Sequence, residues 1–175
     1  MRILITGGAG FIGSCYSRML SQNLFNTVPT KVTILDSLTY AGNRKNIAEI
    51  ESDSRLTFIE GSILDVALLK KIIPGHDLII NFAAETHVDN SIKNPRVFFE
   101  TNTIGAQNIF ELSLKARIPK VIQVSTDEVY GSIENGCWDE YAPVVPSSPY
   151  SASKASADLI ALAYHKTYNL NVSIT

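Results

Sequence analysis

The chain has 175 residues, 45% of them hydrophobic, which is enough for one sizeable core and one domain. Only 18% are charged and the formal net charge is -2 with no basic stripe, which argues against nucleic acid as a partner. No apolar run has the roughly 18 residues of a membrane span, and His76, His87 and His165 share no metal-ligand spacing with Cys15 or Cys137.

Taken in chain order, short β-branched runs alternate with longer amphipathic stretches. Residues 2–6 read as a strand, and 11–23 as a helix. Residues 31–35 read as a second strand, followed by a helical pattern over 43–50. A strand at 56–59 precedes a helix at 66–72, and a strand at 77–82 precedes a long helix at 95–116. Residues 120–124 form a fifth strand, 150–168 a helix, and 171–175 a last strand. Several strands are almost continuously apolar, as strands covered on both faces should be. The alternation predicts an α/β fold, a Rossmann-type doubly wound parallel sheet with helices on both faces. The Pro- and Ser-rich stretch 143–149 reads as an ordered loop ending at a helix. The N-terminal run reads as part of the fold and not as a leader. Two cysteines make no disulfide framework, so a cytoplasmic location is expected. The sequence stops inside a strand pattern, which predicts that residues 1–175 are the cofactor-binding part of a longer enzyme.

The first strand runs into Gly7-Gly8-Ala9-Gly10, and Gly13 lies one turn into the helix. One glycine permits a tight turn, and the next lets backbone N–H groups approach a phosphate. Gly13 permits close helix packing. The helix N-terminus adds unpaired donors and a partial positive charge. Asp36 ends the second strand 23 residues past Gly13, where an acid meets adenosine ribose hydroxyls. That carboxylate would repel a ribose 2′-phosphate, which favours NAD over NADP. A surface aspartate beside a Gly-rich turn is the alternative.

Tyr150 and Lys154 stand four apart at a helix start, on one face. A phenol is a poor base at neutral pH, and a neighbouring ammonium favours its phenolate. The fifth strand leads into Ser125-Thr126-Asp127-Glu128. Thr126 is able to hydrogen-bond a substrate hydroxyl beside Tyr150, and Asp127 with Glu128 can act as an acid/base pair. Ser125 and Glu128 also fit a capping box, so a helix start explains them as well. After the fourth strand, Ala83 and Ala84 leave room for a flat cofactor. Glu85, Thr86 and His87 are loop caps or site residues. Thr101 and Asn102 are a polar pair in an apolar helix, facing either cofactor or solvent.

These stretches together resemble the dTDP-glucose 4,6-dehydratases, within the extended short-chain dehydrogenase/reductases. The resemblance rests on Gly7-Gly-Ala-Gly-Phe-Ile-Gly13, Leu38-Thr-Tyr-Ala-Gly-Asn43, Ala83-Ala-Glu-Thr-His-Val-Asp89, Ser125-Thr-Asp-Glu-Val-Tyr-Gly131 and Ser148-Pro-Tyr-Ser-Ala-Ser-Lys154. It implies NAD as cofactor and a nucleotide-activated hexose as substrate. It implies C4 oxidation by Tyr150 with Thr126 and Lys154, then loss of water across C5–C6 by Glu128 and Asp127, then hydride return to C6. It implies NAD contacts from Gly7, Gly10, Phe11, Ile12, Gly13, Asp36, Ser37, Leu38, Thr39, Ser62, Ile63, Ala83, Ala84, Thr86 and Thr101, with Tyr150 and Lys154. Thr86, Thr126, Asp127 and Glu128 would face substrate. Ser62 stands where the family usually has Asp, Asn90 where Arg is common, and Cys15 where a polar residue is usual. The resemblance further implies a homodimer through the two long helices, with Phe98, Phe99, Ile160 and Leu162 as contact residues or core. A nucleotide-sugar epimerase is the alternative activity. For these 175 residues alone, a cofactor-binding module without catalysis is the other reading.

Overall fold

The computed structural model describes residues 1–26 and 28–175. Six strands form one parallel sheet: β1 (Arg2–Thr6), β2 (Lys31–Asp36), β3 (Leu56–Glu60), β4 (Leu78–Asn81), β5 (Lys120–Gln123) and β6 (Val172–Ile174). Their order is β3-β2-β1-β4-β5-β6. All six expected strands are present, with ends shifted by a residue or two. The fold is the predicted doubly wound one.

The apolar runs of the strands feed both faces of the sheet, because successive side chains point to opposite sides. Ile3 and Ile5 of β1 join Val32, Ile34 and Ile80 under α1 (Phe11–Ser21) and the 3-10 turn Arg44–Ile50. Leu4 joins Leu35, Ile79 and Val121 on the other face. That face is covered by α2 (Val66–Ile72) and by two longer helices, described next, which contribute Ile109, Phe110, Ala157 and Ala161. Each fully buried Leu or Ile side chain stabilises the fold by about 1.5–3 kcal/mol. His76 is a core histidine, with its ring nitrogens on Ile73 O and Thr33 Oγ1.

The helical expectations need four corrections. In place of the helix expected over 43–50, Arg44–Ile50 winds as a 3-10 turn capped by Asn43, whose side chain accepts from the Lys45 N–H. Residues 95–116 are not one regular helix. Four residues of α-helix, Pro95–Phe98, open into wider π turns over Phe99–Gly105 and return to α-helix at Ala106–Lys115. These three segments are counted as α4 (95–98) and α5 (106–115) flanking the π segment. A further short helix, α3 (Val88–Lys93), fills a stretch with no expected element. The last helix, α6 (Pro149–Tyr168), starts one residue early because Pro149 occupies its first turn behind a Ser148–Ser151 capping box.

The strand order reverses between β2-β1 and β4-β5. Loops leaving β1 and β4 therefore diverge to opposite faces, and a crevice opens beyond their carboxyl ends.

Candidate active site

A cleft of about 710 Å³ lies in that crevice. Gly7, Gly10, Phe11, Ile12, Gly13, Asp36, Ser37, Thr39, Ser62, Ile63, Ala83, Ala84, Thr86, Thr101, Tyr150 and Lys154 all line it. Of the expected cofactor contacts only Leu38 stands off the wall. Its N–H donates to Asp36 Oδ1 at 2.8 Å, and its backbone turns to φ +50°.

The glycine turn is tight for steric reasons. Gly7 sits at φ +68°, and a Cβ there would lie 2.6 Å from the Ala83 nitrogen and 2.7 Å from the Phe82 carbonyl carbon. A Cβ on Gly13 would lie 2.3 Å from the Gly7 carbonyl oxygen. These residues bring the N-terminus of α1 against the strand ends. No side chain caps that N-terminus at Gly10. Its first N–H groups are thus free to serve an anion at the cleft wall. The donors, the glycine cradle and an acid at the end of β2 together fit a dinucleotide.

Asp36 does more than the sequence indicated. It is 7% exposed, and its Oδ2 accepts the Ala9 N–H at 2.9 Å. The same carboxylate that borders the cleft thus fastens the glycine turn. The Ser62 hydroxyl on the same wall accepts the Leu64 N–H at 3.1 Å.

At the other end of the cleft α6 presents Tyr150, with its ring edge-on to Phe98 at 6.2 Å between centroids. Burial pushes the Tyr150 phenol up from its ordinary value. Hydrogen bonding by Thr126 and Thr86 pulls it down, and the Glu128 and Asp127 charges push it up. Thr86 shares the cleft wall with Tyr150, and Thr126, Asp127 and Glu128 lie near enough to influence the phenol. Thr126, Asp127 and Glu128 stand at the rim and not on the cleft wall, and Asp127 and Glu128 are exposed. The helix-start alternative for this stretch is partly realised. Residues 127–130 form a 3-10 turn, but its cap is Thr126, whose Oγ1 accepts the Glu128 N–H at 3.3 Å. Ser125 is turned away, to Asp158.

Lys154 lines the cleft with Tyr150. Its amine is buried and donates to the Val124 carbonyl oxygen at 2.6 Å. Burial lowers its pKa to about 8. The amine is thus tied to the end of β5.

Two further sets of residues were not anticipated. Polar side chains interrupt the apolar strands at one level: Thr6 Oγ1 donates to Asn81, Asn81 Nδ2 to Gln123 Oε1 at 2.7 Å, and Gln123 Nε2 to the Val124 carbonyl oxygen at 3.3 Å. This buried ladder runs from the strand before the glycine turn to the carbonyl that holds Lys154. The available signal was a polar residue ending each of three apolar runs. Tyr40 is the other. Its hydroxyl donates to Thr86 O at 2.7 Å and accepts the Thr86 N–H at 3.0 Å, which fixes the loop after β4.

Asn102 answers the open question about the polar pair in the long helix. It is 2% exposed and faces neither solvent nor cleft. Its Oδ1 accepts the Glu85 N–H at 2.7 Å. Its Nδ2 donates to Glu85 O at 3.0 Å and to Ser153 Oγ at 2.9 Å. Thr101 does line the cleft. Asn102→Ala is expected to destabilise the fold by about 2–4 kcal/mol in urea titration, because it orphans two buried backbone groups. Among the described residues, no group of three His, Cys, Asp or Glu side chains is placed to hold a metal, and no helix is long and apolar enough to cross a membrane.

The sequence profile of the GDP-mannose 4,6 dehydratase family matches residues 4–175. The chain belongs to this family. Among characterised members it is similar to a dTDP-glucose 4,6-dehydratase of Streptomyces niveus, 49% identical over 176 residues, with all of this chain and 52% of that protein covered. It is also similar to the crystal structure of the dTDP-glucose 4,6-dehydratase of Streptomyces venezuelae with NAD bound, at 52% identity and a TM-score of 0.97, covering 99% of this chain and 54% of that one. The UDP-glucose 4-epimerase of Thermotoga maritima shares the fold at 30% identity and a TM-score of 0.87, over 99% of this chain and 54% of that one. The chain thus spans about half the length of the relatives it matches.

Proposed function

We propose that this chain supplies the NAD site and the acid/base residues of a nucleotide-sugar 4,6-dehydratase. Its activity is the conversion of dTDP-glucose to dTDP-4-keto-6-deoxyglucose. The observation that carries this reading is the placement of Thr126, Asp127 and Glu128 just beyond the end of β5, within reach of the Tyr150 phenol that lines a dinucleotide-shaped cleft. Bound in that cleft, NAD supplies the oxidation at sugar C4 and the later reduction at C6.

The proposed residue roles follow from placement. The glycine turn and α1 hold the pyrophosphate, and Asp36 takes the adenosine ribose and disfavours a 2′-phosphate. Tyr150 accepts the C4 hydroxyl proton with Thr126 sharing that hydroxyl. Because burial disfavours the phenolate, Lys154 must bring its positive charge toward Tyr150 when the cleft is filled. The C4 ketone acidifies the C5 proton, which Glu128 removes. Asp127 protonates the departing C6 hydroxyl. Both acids are exposed at the rim, where a second lobe present in family-length proteins would cover them.

An epimerase has no need of this acid pair. The test is Glu128→Gln in a protein of family length carrying these residues. The unaltered protein is expected to yield a product with the alkali-induced absorbance of a keto sugar. The variant is expected to bind NAD normally and lose that product by about 10²–10⁴-fold. Normal turnover in the variant would remove Glu128 from the mechanism. The same reading makes the family-length protein a cytoplasmic homodimer and leaves residues 1–175 alone a cofactor-binding module. Support for the dimer is the exposed Phe99 in the π segment and Leu159 and Leu162 on α6, although Phe98 is buried and Ile160 packs against the core.

A further inference from the structure

Asp158 is a buried acid that the proposed chemistry leaves without a task. It is 7% exposed and lies one helical turn after Lys154 on α6. One of its oxygens, Oδ2, accepts the Ser125 hydroxyl. The other, Oδ1, is buried and meets no donor. An ionised carboxylate with an unpaired buried oxygen is costly, and a structural role is served better by Asn or Leu at such a place. The neighbour that makes sense of the charge is Lys154, itself 5% exposed and held by one hydrogen bond to Val124 O.

We propose that Asp158 is the positioning residue of Lys154: its carboxylate is the buried counter-charge that keeps the lysine cationic in the cleft, and Ser125 ties that counter-charge to the end of β5. The inference rests on the dehydratase reading only for what Lys154 then does to Tyr150.

The environment leaves Asp158 as the counter-charge. Asp89 and Lys93 on α3, Glu100 in the π segment, Glu111 on α5, and Asp127 and Glu128 after β5 belong to elements near or packed against α6. Among the described residues Lys154 forms no ion pair, with these groups or with Asp158, and Asp158 acts on it as a buried charge one turn along α6. Burial lowers the lysine to about 8 and Asp158 opposes that fall. Burial raises the Asp158 carboxyl above its ordinary value, and Ser125 and Lys154 oppose that rise by favouring its ionised form. The sign follows. Without the carboxylate the lysine loses its proton at a lower pH, so less of it is charged at neutral pH. The ladder through Gln123 to Val124 O holds the amine at rest, and Asp158 holds its charge.

The test is the titration of Lys154 in the family-length protein with ¹³Cε-labelled lysine, its resonance identified by its loss in Lys154→Met. The unaltered protein is expected to show a midpoint near 8, and Asp158→Asn a midpoint lower by about one pH unit. Asp158→Ser, smaller and also neutral, gives the same shift should asparagine prevent folding. Asp158→Glu, which keeps the charge, restores the midpoint. An unchanged midpoint in the neutral variants, or a glutamate variant that behaves like them, overturns the proposal. The titration needs neither substrate nor cofactor, so a failure of the dehydratase reading appears separately, as absent turnover with this result intact.

Discussion

Gly7→Ala is expected to weaken NAD binding at least about 100-fold in calorimetric titration and to lower stability by roughly 2–5 kcal/mol. Two costs add. The residue sits at φ +68°, where a side chain strains the backbone. The new Cβ would also fall within 2.7 Å of the Phe82 and Ala83 backbone, where no flexible side chain can yield. The turn would have to move away from β4, and α1 would carry its free N–H groups out of place. The strain reaches Asp36 as well, because that carboxylate holds the turn through Ala9. A variant that bound NAD normally would show that the cradle is not the phosphate site.

The second large effect is expected for Tyr150→Phe. Turnover should fall by about 10²–10⁴-fold, the usual worth of a positioned acid/base, while NAD affinity changes less than about threefold. The ring would keep its edge contact with Phe98, so the loss would be of the hydroxyl alone. Steady-state rates beside direct NAD titration separate the two. Equal losses in both would make Tyr150 a cofactor contact and not the base.

Much of this was legible in the sequence because it depends on local rules. Apolar runs and their punctuation place six parallel strands, and the glycine spacing places the cradle. Ser148 and Pro149 set the start of α6 and hence the exposure of Tyr150. What escaped notice is long-range. Nothing local reveals that Asn102 reaches the backbone of Glu85, or that the helix must open into π turns around it. Nothing local brings the Lys154 amine to Val124 O, since that contact joins α6 to the end of β5. Thr6, Asn81 and Gln123 were visible as polar residues in apolar strands, but only the parallel register aligns them into one ladder. Ser125 and Thr126 show the limit most finely. The capping pattern was present, yet the structure gives the cap to Thr126 and Ser125 to Asp158, a residue 33 positions away.

The family-length protein incubated with dTDP-glucose in deuterium oxide tests the central claim most directly. The account predicts a 4-keto-6-deoxy sugar nucleotide, one water lighter, carrying a solvent deuterium at C5 because Glu128 removes that proton and solvent restores it. Recovery of an isomer that has kept its water and its C5 proton would contradict it.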